Sequence, residues 1–313
     1  MLYFELGLGA EDYLTERESR LPGKIRSIFW NLKASFGIIV KKKVNDKNVY
    51  VLPKINKKFL KKVEKILKLS GDKQICISDE LYYRDEFLGL IRENEMKIAD
   101  GTWVLKYMLL NILDYIFNKT NTSDNLMDKE IAFFVDSDYE LVIEYIRKLA
   151  SKVKLITIVT NNIRRFNKIE EQFLKQEGIN LNIVNNYRKS LIKTNIIVNI
   201  DFEEKEIKKY TIYNKTYFIN LYNKYEIASR KFEGVNITNV QISMPNKYLD
   251  YVELFYNFNY LNVYESFIKK RTSIKNIFDE IQKDEIDIIW LENEKGMIQK
   301  KEFLLDIKKV LDK

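Results

Sequence analysis

Histidine is absent from the 313-residue sequence, and cysteine occurs once, at Cys76. Without histidine the chain has neither Ser-His-Asp nor Cys-His catalytic machinery and no histidine-ligated metal site. A single cysteine excludes an intramolecular disulfide and a cysteine-based zinc site. Because Cys76 lies in an apolar segment, we expect it to be an inert core residue. Any catalysis would therefore depend on carboxylates, lysine, tyrosine or a cofactor.

Glycine and proline are scarce as well, with 10 and 3 residues, which excludes collagen-like and linker-like proteins. Long hydrophobic runs are missing too, because no window approaches the ~18 uncharged apolar residues that span a bilayer. The acidic N-terminal segment is not typical of a signal peptide. We therefore expect a cytoplasmic protein with no membrane partner.

The sequence does contain enough apolar material for two folded domains, since 46% of its residues are hydrophobic. In the first third, strands and helices alternate. The pattern predicts strands at 1–6, 36–44, 48–55, 74–78 and 96–99, and helices at 24–35, 57–69, 85–94 and 102–117. The two strands at 36–44 and 48–55 are expected to form a hairpin.

A clearer alternation follows the polar, turn-rich stretch 120–129, which predicts a domain boundary. Strands are expected at 131–135, 155–160, 179–184 and 195–200, and helices at 140–149, 164–176 and 187–191. Short β-branched strands separated by helices are typical of βαβ units in a parallel sheet. Beyond Asp201, segments 210–213 and 217–221 form either a hairpin or the last strands of the sheet, and helices are expected at 249–269, 273–283 and 301–311.

Three stretches carry a resemblance to a known family: KEIAFFVDSD at 129–138, KLITIVTNN at 154–162 and TNIIVNID at 194–201. Their order resembles the NAD(P)-binding domain of the shikimate dehydrogenase and glutamyl-tRNA reductase group. That group has a glycine-rich turn after the first strand, an ITIVNRT-type second strand and an ADIVINAT-type later strand. The helix at 102–117 corresponds to the interdomain helix of the group. The resemblance covers about 70 residues and implies a Rossmann-like fold.

The predicted fold class is thus α/β with two domains, the second a Rossmann-like, mostly parallel sheet with flanking helices and a helical C-terminus. The predicted boundaries are an α/β domain at 1–119, the Rossmann-like domain at 129–245, and a helical segment at 246–313 that packs on one or both of them.

The glycine fingerprint of that family is missing, because residues 135–140 read VDSDYE instead of G-x-G-x-x-G. The glycines permit a tight turn and a close approach of the backbone to the pyrophosphate. Here three acidic side chains replace them and would repel a diphosphate. We therefore predict that classical NAD(P) binding is lost and that the cofactor, if there is one, is unknown. Arg164 and Arg165 follow the second strand, where arginines of NADP enzymes bind the 2′-phosphate.

Ligands of open α/β sheets bind beyond the carboxyl ends of the strands. The candidate ligand-binding residues at these ends are Asp136, Asp138, Asn161, Asn162, Arg164, Arg165 and Asp201. One aspartate of the 136–138 turn can point into the crevice while the other caps the next helix, or both are simply turn formers. Together with Asp201 they could bind an amine or Mg²⁺, although the spacing is not a metal signature and no metal site is predicted.

Positive charge is concentrated between residues 24 and 73, which hold 15 Lys and Arg against three Asp and Glu. Clustered basic side chains neutralise phosphates, so this segment is a candidate nucleic-acid surface. Its candidate contacts are Lys24, Arg26, Trp30, Lys41, Lys42, Lys43, Lys58, Lys61 and Lys62. An ordinary solvated surface is the alternative.

Three functions remain open from the sequence. The first is a non-catalytic module that binds a small molecule or a protein partner. The second is an NAD(P)-type oxidoreductase or a transferase that uses carboxylate, lysine or tyrosine chemistry. In that case, Asp136, Asp138, Asn161 and Asp201 would share a pocket with a lysine or tyrosine from the first domain. The third is a nucleic-acid-binding protein acting through the basic segment. The absence of histidine and of the glycine fingerprint favours the first.

Overall fold

The computed structural model describes residues 1–7, 20–120, 125–185, 194–228, 231–268 and 273–304. The chain forms two compact units, each assembled from two stretches of sequence. The first unit contains Met1–Gly101 and Met244–Lys269, and the second contains Thr102–Ser243 and Lys270–Lys313. The three-segment division made from composition differs from these limits and stays a prediction.

The strands of the described residues are numbered along the chain. They are β1 (Leu2–Leu6), β2 (Val40–Val44), β3 (Lys47–Leu52), β4 (Gln74–Ile77), β5 (Lys97–Ile98), β6 (Glu130–Phe134), β7 (Leu155–Val159), β8 (Asn182–Val184), β9 (Ile196–Asn199), β10 (Tyr217–Asn220), β11 (Val235–Ile237), β12 (Asn239–Ile242), β13 (Ile288–Asn293) and β14 (Gly296–Met297).

The α-helices of the same residues are numbered likewise. They are α1 (Gly23–Phe36), α2 (Lys57–Ser70), α3 (Asp85–Glu93), α4 (Thr102–Leu105), α5 (Leu109–Asp114), α6 (Tyr139–Leu149), α7 (Ile163–Glu177), α8 (Glu204–Ile207), α9 (Tyr260–Phe267) and α10 (Ile274–Lys283). The helix expected at 187–191 and most of that expected at 301–311 lie outside the described residues; Lys300–Phe303 is a 3-10 turn.

The first unit is built on a five-stranded mixed sheet in the order β2-β3-β1-β4-β5. Strands β3, β1, β4 and β5 are parallel, and β2 pairs with β3 as the expected antiparallel hairpin. One face packs against α2 and α3, whereas residues 244–268 supply much of the opposite cluster. Strand β2, with the sequence VKKKV, lies at the edge, where lysines discourage pairing with another chain. Every strand and helix predicted up to residue 99 is present, but the strand predicted at 36–44 begins only at Val40, because α1 extends to Phe36 and Gly37 caps it.

The second unit contains an all-parallel six-stranded sheet in the order β11-β10-β9-β6-β7-β8. Counted within the sheet, this is the 3-2-1-4-5-6 order of the Rossmann fold, with its switch point between β6 and β9. The apolar runs IAFF of β6 and IIV of β9 are fully buried, as expected for a parallel sheet covered on both faces. The Rossmann-like α/β fold class is therefore confirmed. A separate antiparallel sheet, β12-β13-β14, belongs to the same unit.

The single helix predicted at 102–117 is wrong. The structure breaks it into α4 and α5, and a short π-helix, Tyr115–Lys119, follows α5. The cause is the buried Tyr145 of α6, whose hydroxyl donates to the Lys106 carbonyl and accepts from the Leu109 N–H at 3.4 Å. One side chain thus satisfies two backbone groups at the break. Burial raises the pKa of Tyr145 well above its usual value, so the hydroxyl stays protonated.

The helix predicted at 249–269 is also wrong over its first half, where Asn246–Tyr251 is a 3-10 turn and only α9 is α-helical. The intervening chain bonds elsewhere in the first unit: the Asn257 side chain donates to Glu5 of β1 at 2.5 Å, and its carbonyl accepts from the Asp79 N–H at 3.2 Å. Asn259 then caps α9 by accepting from the Leu261 N–H at 2.9 Å. Further back, 210–213 forms no strand and Tyr217–Asn220 forms the parallel strand β10, so the hairpin alternative is wrong. The alternative of the last strands is confirmed for 217–220 only, and β11 follows that strand in the sheet.

Gly234 precedes β11, and its φ is not positive. Close packing, not backbone conformation, requires glycine at this position. A Cβ at this position would lie 2.1 Å from the Thr216 carbonyl oxygen and 2.5 Å from the Phe232 ring. The carbonyl belongs to the backbone and cannot move aside without disturbing β10. Sheet formation therefore requires glycine at this position.

Replacing Gly234 with alanine should lower the free energy of unfolding by about 2–3 kcal/mol, because the added methyl group overpacks a strand end. The matched control is Gly89→Ala on α3, where a Cβ meets nothing within 4 Å; it should stabilise by about 0.5–1 kcal/mol, since alanine is the better helix former. Urea denaturation followed by circular dichroism measures both. Equal effects of the two substitutions would contradict the close-packing argument.

Candidate functional site

The candidate site lies at the switch point of the second unit, where β6 and β9 end side by side. In Rossmann-like sheets the crevice beyond these two strand ends receives the ligand. The loop after β6 holds residues 135–138 and leads directly into α6. The loop after β9 holds Asp201. The two loops lie in contact through hydrogen bonds.

The Asp201 carboxylate occupies the anion position of the β6–α6 loop. Its Oδ1 accepts from the Asp136 N–H at 2.7 Å, and its Oδ2 accepts from the Ser137 N–H at 2.6 Å and the Asp138 N–H at 2.9 Å. Three successive N–H groups at a helix N-terminus form a site for anions in general. In this chain the anion is an aspartate side chain, so the position where a diphosphate would bind is filled.

Asn199, at the end of β9, holds the Asp201 loop in place. Its buried side chain accepts from the Phe202 N–H at 2.9 Å and donates to the Phe202 carbonyl at 3.0 Å. It also donates to Asn220 on β10 at 3.0 Å. These bonds close the turn around Asp201, and buried amides that are fully paired make such turns rigid. The aspartate is therefore presented to the loop in a defined position.

Asp136 turns towards the next strand of the sheet. Its Oδ1 accepts from the Thr160 hydroxyl at 3.0 Å and the Asn161 N–H at 2.7 Å, and its Oδ2 accepts from the Asn161 amide at 2.8 Å. Three donors from the turn after β7 thus surround the carboxylate. Among the described residues no group of three acidic or cysteine side chains is arranged to hold a metal ion.

Asp138 stands at the N-cap position of α6 but makes no capping bond with its side chain. Instead its Oδ2 lies 2.6 Å from the Lys106 ammonium group. Lys106 also lies over the ring of Tyr222, 5.6 Å from its centroid, and Tyr222 donates to Glu203 at 3.0 Å. The pKa of Tyr222 is raised, chiefly by this bond and the charge of Glu203 and further by Asp201 and Asp138. Tyr222 therefore lies among three carboxylates, those of Glu203, Asp201 and Asp138.

A cavity of about 270 Å³ opens beside this network. Its wall combines aromatic rings with two carboxylates, and it is lined by Trp103, Lys106, Tyr107, Ser137, Asp138, Tyr139, Glu140, Leu141 and Ile274. The rings of Trp103 and Tyr107 are in contact, with centroids 5.2 Å apart. Burial, and to a lesser degree the charge of Asp138, raises the pKa of Tyr107. Lys106 contributes the only cationic side chain among these lining residues.

The two arginines after β7 are exposed, and Arg165 stacks on Tyr139 with its guanidinium carbon 3.4 Å from the ring centroid. The Asn162 N–H donates to the Thr160 hydroxyl at 3.0 Å, as part of the turn that starts α7. Arg164 lies on the first turn of that helix. Stacking on an aromatic ring gives Arg165 a role within the unit itself. A role for either arginine in binding a phosphate stays a prediction.

Of the predicted ligand-binding residues, the structure joins Asp136, Asp138, Asn161 and Asp201 in one network, with Arg165 beside it. The sequence reasoning missed Lys106, Tyr222 and Glu203 and the aromatic wall of the cavity. Trp103, Lys106 and Tyr107 lie at helical spacing in a segment that was predicted to be one long apolar helix. A lysine within that apolar run was the one sequence signal that could have pointed to a site there.

Several side chains of the basic segment contact other residues of the first unit. Lys58 donates to the Ser35 carbonyl at 2.9 Å and Lys62 to the Gly37 carbonyl at 2.6 Å, so both terminate α1. Lys42 lies 3.7 Å from the buried Glu5. Trp30 is half-buried against the core of its unit. Nucleic-acid binding through Lys24, Arg26, Lys41, Lys43 and Lys61 stays a prediction.

Comparison with known proteins identifies no family. No family model matches the chain, and no curated protein does. Among solved structures, the chain aligns with dipicolinate synthase, A chain, from Bacillus subtilis at 10% identity and a TM-score of 0.33, over 60% of this chain. The chain spans only 56% of that protein.

Two further alignments cover nearly the whole chain. L-tryptophan dehydrogenase from Nostoc punctiforme aligns over 99% of this chain and 82% of its own, at 12% identity and a TM-score of 0.34. A putative D-3-phosphoglycerate dehydrogenase oxidoreductase from Ralstonia solanacearum aligns over 96% and 99%, at 10% identity and a TM-score of 0.28. Scores this low support no statement about ligand or activity. The narrower resemblance to the shikimate dehydrogenase and glutamyl-tRNA reductase group stays a prediction.

Replacing Asp201 with asparagine should lower the free energy of unfolding by about 2–3 kcal/mol, because an uncharged amide faces three N–H donors with one acceptor oxygen. The control is Asp287→Asn, an exposed partner of Lys119 in the same unit, which should cost less than about 1 kcal/mol. Thermal and urea denaturation measure both variants. A loss for Asp201→Asn no larger than that for the control would show that the three bonds contribute nothing.

Proposed function

We propose that this chain is a non-catalytic, Rossmann-like ligand-binding module that does not bind a dinucleotide diphosphate in the classical position. One observation carries the proposal: the Asp201 carboxylate accepts hydrogen bonds from all three N–H groups that a diphosphate would use. Asp136 and Asp138 flank the same loop. A second anion at this place would displace one carboxylate and approach two others.

The hydrogen bonding of the crevice supports binding rather than catalysis. A general acid or base must reach a proton on the substrate. Asp136 is held by Thr160 and Asn161, Asp201 by backbone N–H groups, and Asp138 by Lys106. The carboxylates that an enzyme of this fold would turn towards a substrate are therefore engaged with their own unit.

The ligand that fits the neighbouring cavity is a small organic cation. The rings of Trp103 and Tyr107 and the carboxylate of Glu140 line the cavity, while Arg165 stacks on the ring of Tyr139. A cation over an aromatic face is attracted by the ring quadrupole, and nearby carboxylates add to that attraction. Lys106 is paired with Asp138 and Arg165 stacks on Tyr139, so the preference for a cation rests on the carboxylate of Glu140.

Wild-type protein should show no thermal stabilisation by NADH, NADPH or inorganic pyrophosphate. The Asp201→Ala variant, which vacates the three N–H groups, should gain a response to pyrophosphate of at least about 2 °C, because an anion can then fill the emptied position. Differential scanning fluorimetry at constant ionic strength measures both proteins. Reproducible stabilisation of the wild type by NADPH would overturn the loss of classical binding.

Tetramethylammonium and putrescine should stabilise the wild-type protein, and Glu140→Gln should weaken the apparent affinity by about fivefold or more, since one charge–cation contact is lost. Glu171→Gln is the matched control, because Glu171 is an exposed acid on α7 paired with Lys175. Isothermal titration calorimetry measures the affinities. If neither amine binds, or if both variants respond alike, the cationic-ligand part of the proposal is wrong while the nucleotide result still stands.

A further inference from the structure

Helix α1 exposes an apolar face. Five large apolar side chains on it are exposed by 40–67%: Ile25, Ile28, Phe29, Leu32 and Phe36. Their spacing of three and four residues places them along one side of the helix. The opposite side carries Trp30, which packs on the core of the first unit, and Ala34, the single buried residue of this helix. Contiguous exposed apolar side chains mark interaction surfaces.

The helix is held in this orientation by its C-terminal end. Gly37 adopts φ +68 and closes the helix through its N–H to the Ala34 carbonyl. Lys58 and Lys62 of α2 donate to the Ser35 and Gly37 carbonyls. The outward direction of the apolar face therefore follows from packing on one side and from defined hydrogen bonds at the end.

Basic residues are concentrated on α1 and on α2, the helix that contacts its C-terminal end. Helix α1 contains Lys24, Arg26 and Lys33 and no acidic residue. The adjoining helix α2 has six lysines against Glu64 alone, and its exposed lysines include Lys57, Lys61 and Lys65. An apolar helix face bordered by lysine and arginine is the pattern of helices that lie in the interface of an anionic bilayer.

We propose that α1 is a docking surface for an anionic membrane, with its apolar face inserted among lipid headgroups and exposed lysines such as Lys57 and Lys61 of α2 on the phosphates. Charge complementarity selects this occupant. Two copies of the chain joined through α1 would bring like charges together, and one face of a 14-residue helix is small compared with the roughly 800 Å² per partner of a stable dimer. Nucleic acid would use the lysines but would leave Ile25, Ile28 and Leu32 in water.

No helix in the described part of the chain is long and apolar enough to cross a bilayer, so the contact proposed is peripheral. The proposal differs from the sequence-based prediction of no membrane partner. That prediction rested only on the lack of a spanning segment and of a signal peptide. The proposal is independent of the ligand site in the second unit.

Vesicle flotation tests the proposal. It compares neutral vesicles of phosphatidylcholine with anionic vesicles in which roughly one lipid in three is phosphatidylglycerol. The full chain should float with anionic vesicles at low salt and at least about tenfold less with neutral ones. The triple variant Ile28→Ser, Leu32→Ser, Phe36→Ser should bind at least about tenfold less, as should Lys57→Glu combined with Lys61→Glu. Leu174→Ser is the control, since Leu174 is 55% exposed on α7 of the other unit, and it should float like the wild type.

A second readout separates insertion from charge attraction alone. Phe29→Trp places a fluorophore on the apolar face, and its emission should shift to the blue with anionic vesicles, while Leu174→Trp should show no shift. Three results would overturn the proposal: no flotation with anionic vesicles, binding unchanged in the serine variant, or sedimentation showing a dimer that the serine variant dissociates. Salt-dependent RNA or DNA binding without vesicle binding would equally overturn it, in favour of a nucleic-acid surface. Unchanged circular dichroism confirms that each variant is folded.

Discussion

The contact between the Asp201 carboxylate and three successive N–H groups organises the carboxyl edge of the parallel sheet in the second unit. A Rossmann-like sheet brings the ends of β6 and β9 together, and the helix that follows β6 presents uncompensated N–H groups there. Related folds leave these groups for a phosphate. Here an internal carboxylate satisfies them, so the same geometry that creates a nucleotide site in other proteins becomes a structural cap. The pairing also explains how a loop without glycine begins α6 although Asp138 makes no capping bond of its own.

The remaining polar groups of that edge are arranged around this cap. Asp136 binds the turn after β7, and Asp138 holds Lys106 at the break between α4 and α5. The aromatic side chains of that break then form one wall of the cavity. The break between α4 and α5 and the glycine-free loop after β6 are far apart in the sequence. In the structure residues of both line the same cavity, because Tyr145 of α6 bonds to the backbone at the break.

Much of the architecture could be predicted from local pattern. Short β-branched strands separated by amphipathic helices are typical of a parallel sheet covered on both faces, so the alternation between 131 and 200 indicated the Rossmann-like class. The predictions failed where side chains compete with the backbone for hydrogen bonds. Tyr145 interrupts the helix expected at 102–117, and the Asn257 side chain bonds to Glu5 of β1 where a helix was expected. Such competition involves residues far apart in sequence and leaves no periodic signal.

The sequence by itself determined which chemistry is unavailable, since it contains no histidine and no glycine fingerprint, and it located the acidic residues at strand ends. Only the tertiary structure decided what those acids do. Whether an aspartate repels a phosphate, binds a metal or replaces the phosphate depends on which donors face it, and Asp201 lies more than sixty residues from the N–H groups that it binds. The same holds for α1: its apolar spacing is visible in the sequence, but whether that face is buried or exposed is settled by packing alone.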